Sequence, residues 1–177
     1  VPKYPFDLII VDLETAGDPD HRILEIGAVR LNDRLEIQDT YHSLVNGSPI
    51  DEKVIKIHGI TEEMVAGAPD WGEAYAPWVE WCQRSPVYIL SAFGAYFDIP
   101  VLRAEYRRFG LKFPHPGQCI DVKTIIWDKV IEMGYPAHRL GVDRALEIFG
   151  LKFEGQRHRA LPDALMETKL FLEAKKR

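Results

Sequence analysis

The chain has 177 residues, 46% hydrophobic and 28% charged, with a formal net charge of −5. That profile is globular, and its acidity argues against a non-specific coat for nucleic acid. No apolar run reaches the length of a membrane span and no signal-peptide pattern opens the chain, so a membrane protein is excluded and a cytoplasmic one expected.

Residues 1–177 are long enough to form one domain with its own core. The two cysteines, Cys82 and Cys119, lack CxxC spacing. They read as small core residues of a reduced protein, not as zinc ligands. Residues 1–88 carry 7 Lys/Arg against 16 Asp/Glu, and residues 89–177 carry 15 against 11. An acidic half beside a basic half suits a metal on one side and a polyanion on the other, or simply solvated helix faces in the second half.

In chain order, residues 6–14 contain Leu8-Ile9-Ile10-Val11, the continuous apolar run of a strand buried on both faces. The run ends in Asp12-Leu13-Glu14. Strand side chains alternate, so Asp12 and Glu14 share one face and Leu13 takes the other. Two adjacent carboxylates there repel each other and resist desolvation, so positive charge is expected between them.

Residues 23–31 and 35–45 read as further strands, with Asn32-Asp33 as hairpin punctuation. The short link at 15–22 allows an antiparallel return. Short helical pieces follow over 51–66, with Thr61 as an N-cap. Asp70 is placed to cap a helix over 71–84 whose apolar face carries Trp71, Tyr75, Trp78, Val79 and Cys82. Next come a strand at 87–93, a helix at 99–109 stopped by Gly110, and a loop at 113–118. A short strand at 119–122 precedes helices at 123–133, 141–149 and 161–175. The plan is a mixed α/β sheet of five strands, three antiparallel and then parallel ones, with helices on both faces.

A lone D-x-E motif carries little weight, so the companions matter. Asp98 lies just ahead of Ile99-Pro100 and, taken alone, reads as a helix N-cap. Asp163 follows Pro162 in the first turn of the last helix, where the dipole favours a carboxylate. His158 lies on the loop before it, free to lean toward the same point. Brought together, Asp12, Glu14, Asp98 and Asp163 would cost several kcal/mol by repulsion and desolvation unless divalent cations compensated them. Oxygen ligands without cysteine or several histidines point to Mg²⁺ or Mn²⁺.

The ordered set "DLET … FD … HRALPDA" resembles the DEDDh 3′–5′ exonucleases of the DnaQ-like, RNase H-like superfamily. "ILEIGAV" and "IHGITEEMV" extend the likeness over nearly the whole chain. The resemblance implies an RNase H-like sheet and release of 5′-mononucleotides from a 3′ end. It implies Asp12, Glu14, Asp98 and Asp163 as ligands of two Mg²⁺ or Mn²⁺ ions, with Glu14 also catalytic and His158 as general base. An imidazole, titrating at about 6.5, suits that role near neutral pH. Two metals about 4 Å apart hold the attacking and leaving oxygens of an in-line displacement. The resemblance also places Leu13, the backbone at Thr15 and Ala16, and Phe97 beside the terminal nucleotide. For Leu13, core packing is an equal reading.

Many DnaQ-like members have His-Asn where this chain has Phe93-Gly94. That glycine, "CID" at 119–121 and "GLKFEGQRHRALPDA" look more like the enhanced-RNAi and histone-mRNA exonuclease branch. The expected partner is therefore a single-stranded 3′ end, RNA ahead of DNA. A DNA proofreading exonuclease is the alternative, weakened by the lack of a docking tail; a catalytically silent nucleic-acid-binding module is a third reading.

Of Phe93, Tyr96 and Phe97, candidates for base stacking, at least two are expected in the core. Glu25 reads as a cross-sheet pair, Asp121 as a helix cap and His58 as a turn or packing residue. Arg103, Arg107, Arg108, Arg157 and Arg159 either contact phosphates or are solvated, and the four tryptophans read mostly as core.

Overall fold

In the computed structural model, which describes residues 4–136, 138 and 140–176, the apolar run forms the middle of a central strand, β1 (Asp7–Thr15). Strand β2 (Ile23–Leu31) returns antiparallel to it, and β3 (Ile37–Leu44) pairs antiparallel with β2. Helices α1 (Glu52–His58), α2 (Glu62–Val65) and α3 (Trp71–Cys82) come next. Strand β4 (Tyr88–Ala92) then runs parallel to β1 on its other side. After α4 (Ala95–Arg108), β5 (Cys119–Asp121) lies parallel to β4. Helices α5 (Val122–Glu132), α6 (Val142–Phe149) and α7 (Ala160–Lys176) complete the order.

The sheet order is β3-β2-β1-β4-β5, the expected three antiparallel strands followed by parallel ones. From β1 the chain turns to one side of the sheet, and it later fills the other. In open α/β sheets such a reversal leaves a crevice at the carboxyl ends of the strands.

The alternation along β1 decides what each face carries. Ile9, Val11 and Leu13 enter a core with Trp71, Trp78, Leu102 and Tyr106 from α3 and α4. Leu8 and Ile10 enter a second core with Val122, Ile126, Phe149, Leu170 and Phe171 from α5, α6 and α7. Asp12 and Glu14 share the parity of Leu8 and Ile10, so the strand presents its acids to the α7 side.

Helix α7 can approach that closely because Gly27 on β2 has no side chain. A Cβ there would lie 2.2 Å from the Leu161 backbone nitrogen. Asp70 caps α3 with a capping box, and Asp121 caps α5 by accepting from the Lys123 amide, both as expected. Thr61 holds the N-cap position of α2, but its side chain makes no capping bond.

Four expectations are corrected. Helix α4 starts at Ala95, not near 99, because Gly94 takes φ +96° and turns the chain directly out of β4. Asp98 therefore lies inside the first helical turn and does not cap it. Cys119 is exposed on the edge strand β5, whereas Cys82 is buried as expected. The tryptophans are mostly core, as expected: Trp71, Trp78 and Trp81 are buried and Trp127 is exposed. Tyr96 and Phe97 are both exposed, at 76% and 39%, because the first turn of α4 points them away from either core. No helix among the described residues is long and apolar enough to cross a membrane.

Candidate active site

Three elements deliver four acids to the crevice at the end of β1. Asp12 and Glu14 come from β1, Asp98 from the first turn of α4, and Asp163 from the first turn of α7. His158 stands on the loop before α7 with φ +55°. With Leu13, Phe97 and Glu167 these residues line one cavity of 650 Å³, a size that suits a small-molecule or nucleotide-scale ligand. One ligand atom each from Glu14, His158 and Asp163 lie within 4.8 Å of one another.

Backbone amides hold two of the acids in place. The Leu13 N–H donates to Asp98 Oδ1 at 3.2 Å, tying α4 to β1. The Arg159 N–H donates to Asp163 Oδ2 at 3.0 Å. Among the described residues, no lysine or arginine side chain forms an ion pair with Asp12, Glu14, Asp98, Asp163 or Glu167. The electrostatic result is strong. Burial, then the neighbouring carboxylates of Asp163, Glu25 and Asp98, push Glu14 up to about 8. Burial pushes Asp98 up to about 7 against the amide bonds that oppose it. Desolvation, then the neighbouring carboxylates of Glu167, Asp98, Glu14 and Asp163, raises Asp12 well above the ordinary carboxylate range. Burial also raises Asp163, less so because of its amide bond and the nearby His158. Such a cluster of raised carboxylates in a cleft marks a functional site. Its donor set is hard oxygen with one imidazole, which fits Mg²⁺ or Mn²⁺.

The exonuclease family model RNase_T matches residues 9–171, nearly the whole chain. The chain belongs to this DnaQ-like, DEDDh exonuclease family. It is 26% identical over 177 residues to DNA polymerase III subunit epsilon of Pasteurella multocida (strain Pm70), covering 96% of this chain and 66% of that protein. The exonuclease thus spans just under two thirds of that relative. Among solved structures, the nuclease domain of 3′hExo, a DEDDh family member bound to rAMP, superposes with a TM-score of 0.84 at 21% identity. That match covers 99% of this chain and 94% of the other, and it shows likeness of fold. Exonuclease X in complex with 5′ overhanging duplex DNA gives a TM-score of 0.69 at 25% identity, over 96% of this chain and 91% of that one.

Not every residue the motifs singled out reaches the cavity of this exonuclease. Leu13 is buried in the α3–α4 core and still lines the cavity, so both of its readings are compatible with its position. Phe97 lines the cavity and packs edge-on against His21. Thr15 and Ala16 do not line it. The Ala16 amide donates to the Arg22 carbonyl and the Ala16 carbonyl accepts from Asp51, so that backbone is already engaged. The Thr15 carbonyl is bonded by His58, a buried packing residue as expected.

The arginines that flank the site are mostly tied down. Arg159 grips Glu25 with Nε and Nη2, and Glu25 also accepts from the Ala160 amide at 3.0 Å and contacts His42. Glu25 does pair across the sheet, with His42, but its main work is to hold the start of α7. Arg157 pairs with Asp143 and lies over Phe153. Arg103 stacks on Phe113, and Arg108 pairs with Glu105.

Sequence reasoning missed Glu167. It is 5% exposed, lines the same cavity, and its Oε2 has no hydrogen-bond partner. The signal was present: Glu167 follows Asp163 by four residues, which on a helix places both on one face.

Proposed function

We propose that this exonuclease hydrolyses single-stranded nucleic acid stepwise from the 3′ end, with DNA as its preferred substrate. The observation that carries the reading is the meeting of Asp12, Glu14, Asp98, Asp163 and His158 in one cavity, where the lining arginines Arg144 and Arg157 pair with Glu147 and Asp143 and, among the described residues, no lysine or arginine pairs with the four acids. Asp12, Glu14, Asp98 and Asp163 would hold two Mg²⁺ or Mn²⁺ ions. When bound, such ions lower the pKa of a water and stabilise the leaving oxygen. The chain's own part is positional. His158 accepts the proton of the attacking water, whose oxygen bonds to phosphorus as the bond from phosphorus to the 3′ oxygen breaks. The products are a 5′-mononucleotide and a strand one residue shorter. Leu13 and Phe97 would seat the terminal nucleotide, and the exposed rings of Tyr96 and Phe97 offer stacking faces for its bases.

DNA replaces the expected RNA on the strength of the relatives. The epsilon protein is a subunit of a DNA polymerase, and the exonuclease solved with DNA is the more similar in sequence of the two structures. The likeness to an rAMP-bound domain, at 21% identity, speaks for the fold alone. Of the features that suggested the RNA branch, Gly94 has a local task, since its positive φ builds the turn into α4. One domain, residues 1–177, would carry the activity. The free thiols of Cys82 and Cys119 suit a reducing, cytoplasmic setting.

The test is digestion of 3′-labelled DNA and RNA oligomers of one sequence with Mn²⁺. The wild type should shorten DNA faster than RNA, and Asp12→Ala should give no product while melting as a folded protein. Faster loss of RNA would return the reading to RNA. Binding without product would make the chain a silent module, and cleavage by Asp12→Ala at the wild-type rate would end the metal-centre reading.

A further inference from the structure

Asp163 and Glu167 lie one helical turn apart on the face of α7 that packs on β1. Further along that face the residues are Leu170, Phe171 and Ala174, all buried in the α5–α7 core. Glu167 therefore sits at the boundary where the apolar seam meets the acidic crevice. A methionine or glutamine would fill this volume without a carboxylate. The protein instead places one here, 5% exposed, with Oε2 unpartnered in a cavity shared with Asp12 and Asp98. Its neighbour Thr168 shows the ordinary solution for a buried polar group on this helix, donating to the Ala164 carbonyl at 2.7 Å. The Glu167 carboxylate is met by the Phe93 backbone, yet Oε2 has no donor among the described residues, and a buried acceptor left so calls for a water or an ion.

The acids divide into two sets. Glu14, Asp163 and His158 gather their ligand atoms within 4.8 Å, while Asp98 and Glu167 are the two most buried acids of the cavity.

We propose that Glu167 is a fifth carboxylate of the metal centre, holding a divalent cation together with Asp12 and Asp98, directly or through a water. This rests on the reading that the four motif acids bind metal. Glu167 thus extends the family's acid set by a residue that this chain supplies from the second turn of α7.

Mn²⁺ titration by calorimetry, with Mn²⁺ electron paramagnetic resonance of the same samples, tests this on the full chain. The proteins are the wild type, Glu167→Gln, Glu167→Met and Asp12→Ala, each melted in EDTA first to show that it folds. Glu167→Gln and Glu167→Met should bind Mn²⁺ roughly 10–100-fold more weakly than the wild type. Their resonance spectra should change, and they should lose most of the rise in melting temperature that Mn²⁺ gives the wild type. Wild-type Mn²⁺ affinity in either folded Glu167 variant overturns the proposal. If Asp12→Ala meanwhile loses Mn²⁺, the four-acid reading stands without Glu167; if Asp12→Ala binds as the wild type does, the reading beneath falls as well. Failure of both Glu167 variants to fold, with or without Mn²⁺, assigns the residue to the core and overturns the proposal too.

Discussion

Glu25 and Glu105 are as deeply buried as Asp98 and Glu167: exposures are 0% and 1% for the first pair, 6% and 5% for the second. Their surroundings are opposite. Glu25 is gripped by Arg159, His42 and the Ala160 amide, and Glu105 by Arg22 and Arg108. Asp98 has one backbone donor from another element, and Glu167 keeps an oxygen with none. Where a buried carboxylate joins elements, this fold spends an arginine on it. Among the described residues it spends none on the crevice acids, although Arg159 lies close enough to grip Glu25 and present its amide to Asp163. The difference separates acids that serve the fold from acids kept open to an external cation, because an unpaired buried charge is costly and persists where something compensates it.

The largest expected effect comes from His158, which stands beside the crevice acids and can carry positive charge. If His158 were a counter-ion like Arg159, its loss would cost stability. As a general base its loss should cost rate. His158→Ala should slow hydrolysis by about 10²–10⁴-fold with Mn²⁺ affinity and melting temperature nearly unchanged. A single-turnover assay beside a thermal melt reads both, and a large drop in melting temperature at preserved rate would erase the contrast.

Glu25 should give the reverse signature. Glu25→Ala strands Arg159 and frees the amide of Ala160, so it should destabilise the fold by about 3 kcal/mol, the usual result of breaking a buried pair from one side. Urea denaturation measures it. Activity should fall only as far as the start of α7 loosens, and a variant as stable as the wild type would show the pairing to be idle.

The smallest effect is on pH dependence without metal. Glu14 rises from its ordinary 4.5 to about 8 and Asp98 from 3.8 to about 7. Over that window the folded state holds protons that the unfolded chain has released, so stability is full at low pH and falls as pH rises from about 4 to about 8. Glu25, pushed up by burial but held below its ordinary value by the bonds from Arg159, His42 and Ala160, works in the opposite sense, adding stability that is lost in acid. Melting temperatures in EDTA across this range should decline by several degrees toward pH 8, and saturating Mn²⁺ should remove the decline. A flat profile in EDTA would mean that the crevice acids are compensated after all.

Much of this molecule was legible one residue at a time. The run Leu8-Ile9-Ile10-Val11 announced a strand covered on both sides, and its alternation put Asp12 and Glu14 on one face, because that pattern depends only on local backbone geometry. The caps at Asp70 and Asp121 were legible for the same reason. The start of α4 was misplaced because Pro100 advertises a helix start, while Gly94, with its positive φ, made the real one. Glu167 stayed hidden because a glutamate on a helix is ordinary until the helix's neighbour is known.

Local sequence alone determined the strand-and-helix order, the parity of the β1 acids and the motif set that places the chain among exonucleases. Tertiary structure alone decided which buried acids receive an arginine and which are left open, because compensation of charge depends on distance across elements far apart in the chain. Gly27 let α7 come close enough to β1 for that choice to be made, and no window of sequence contains both partners of such a contact.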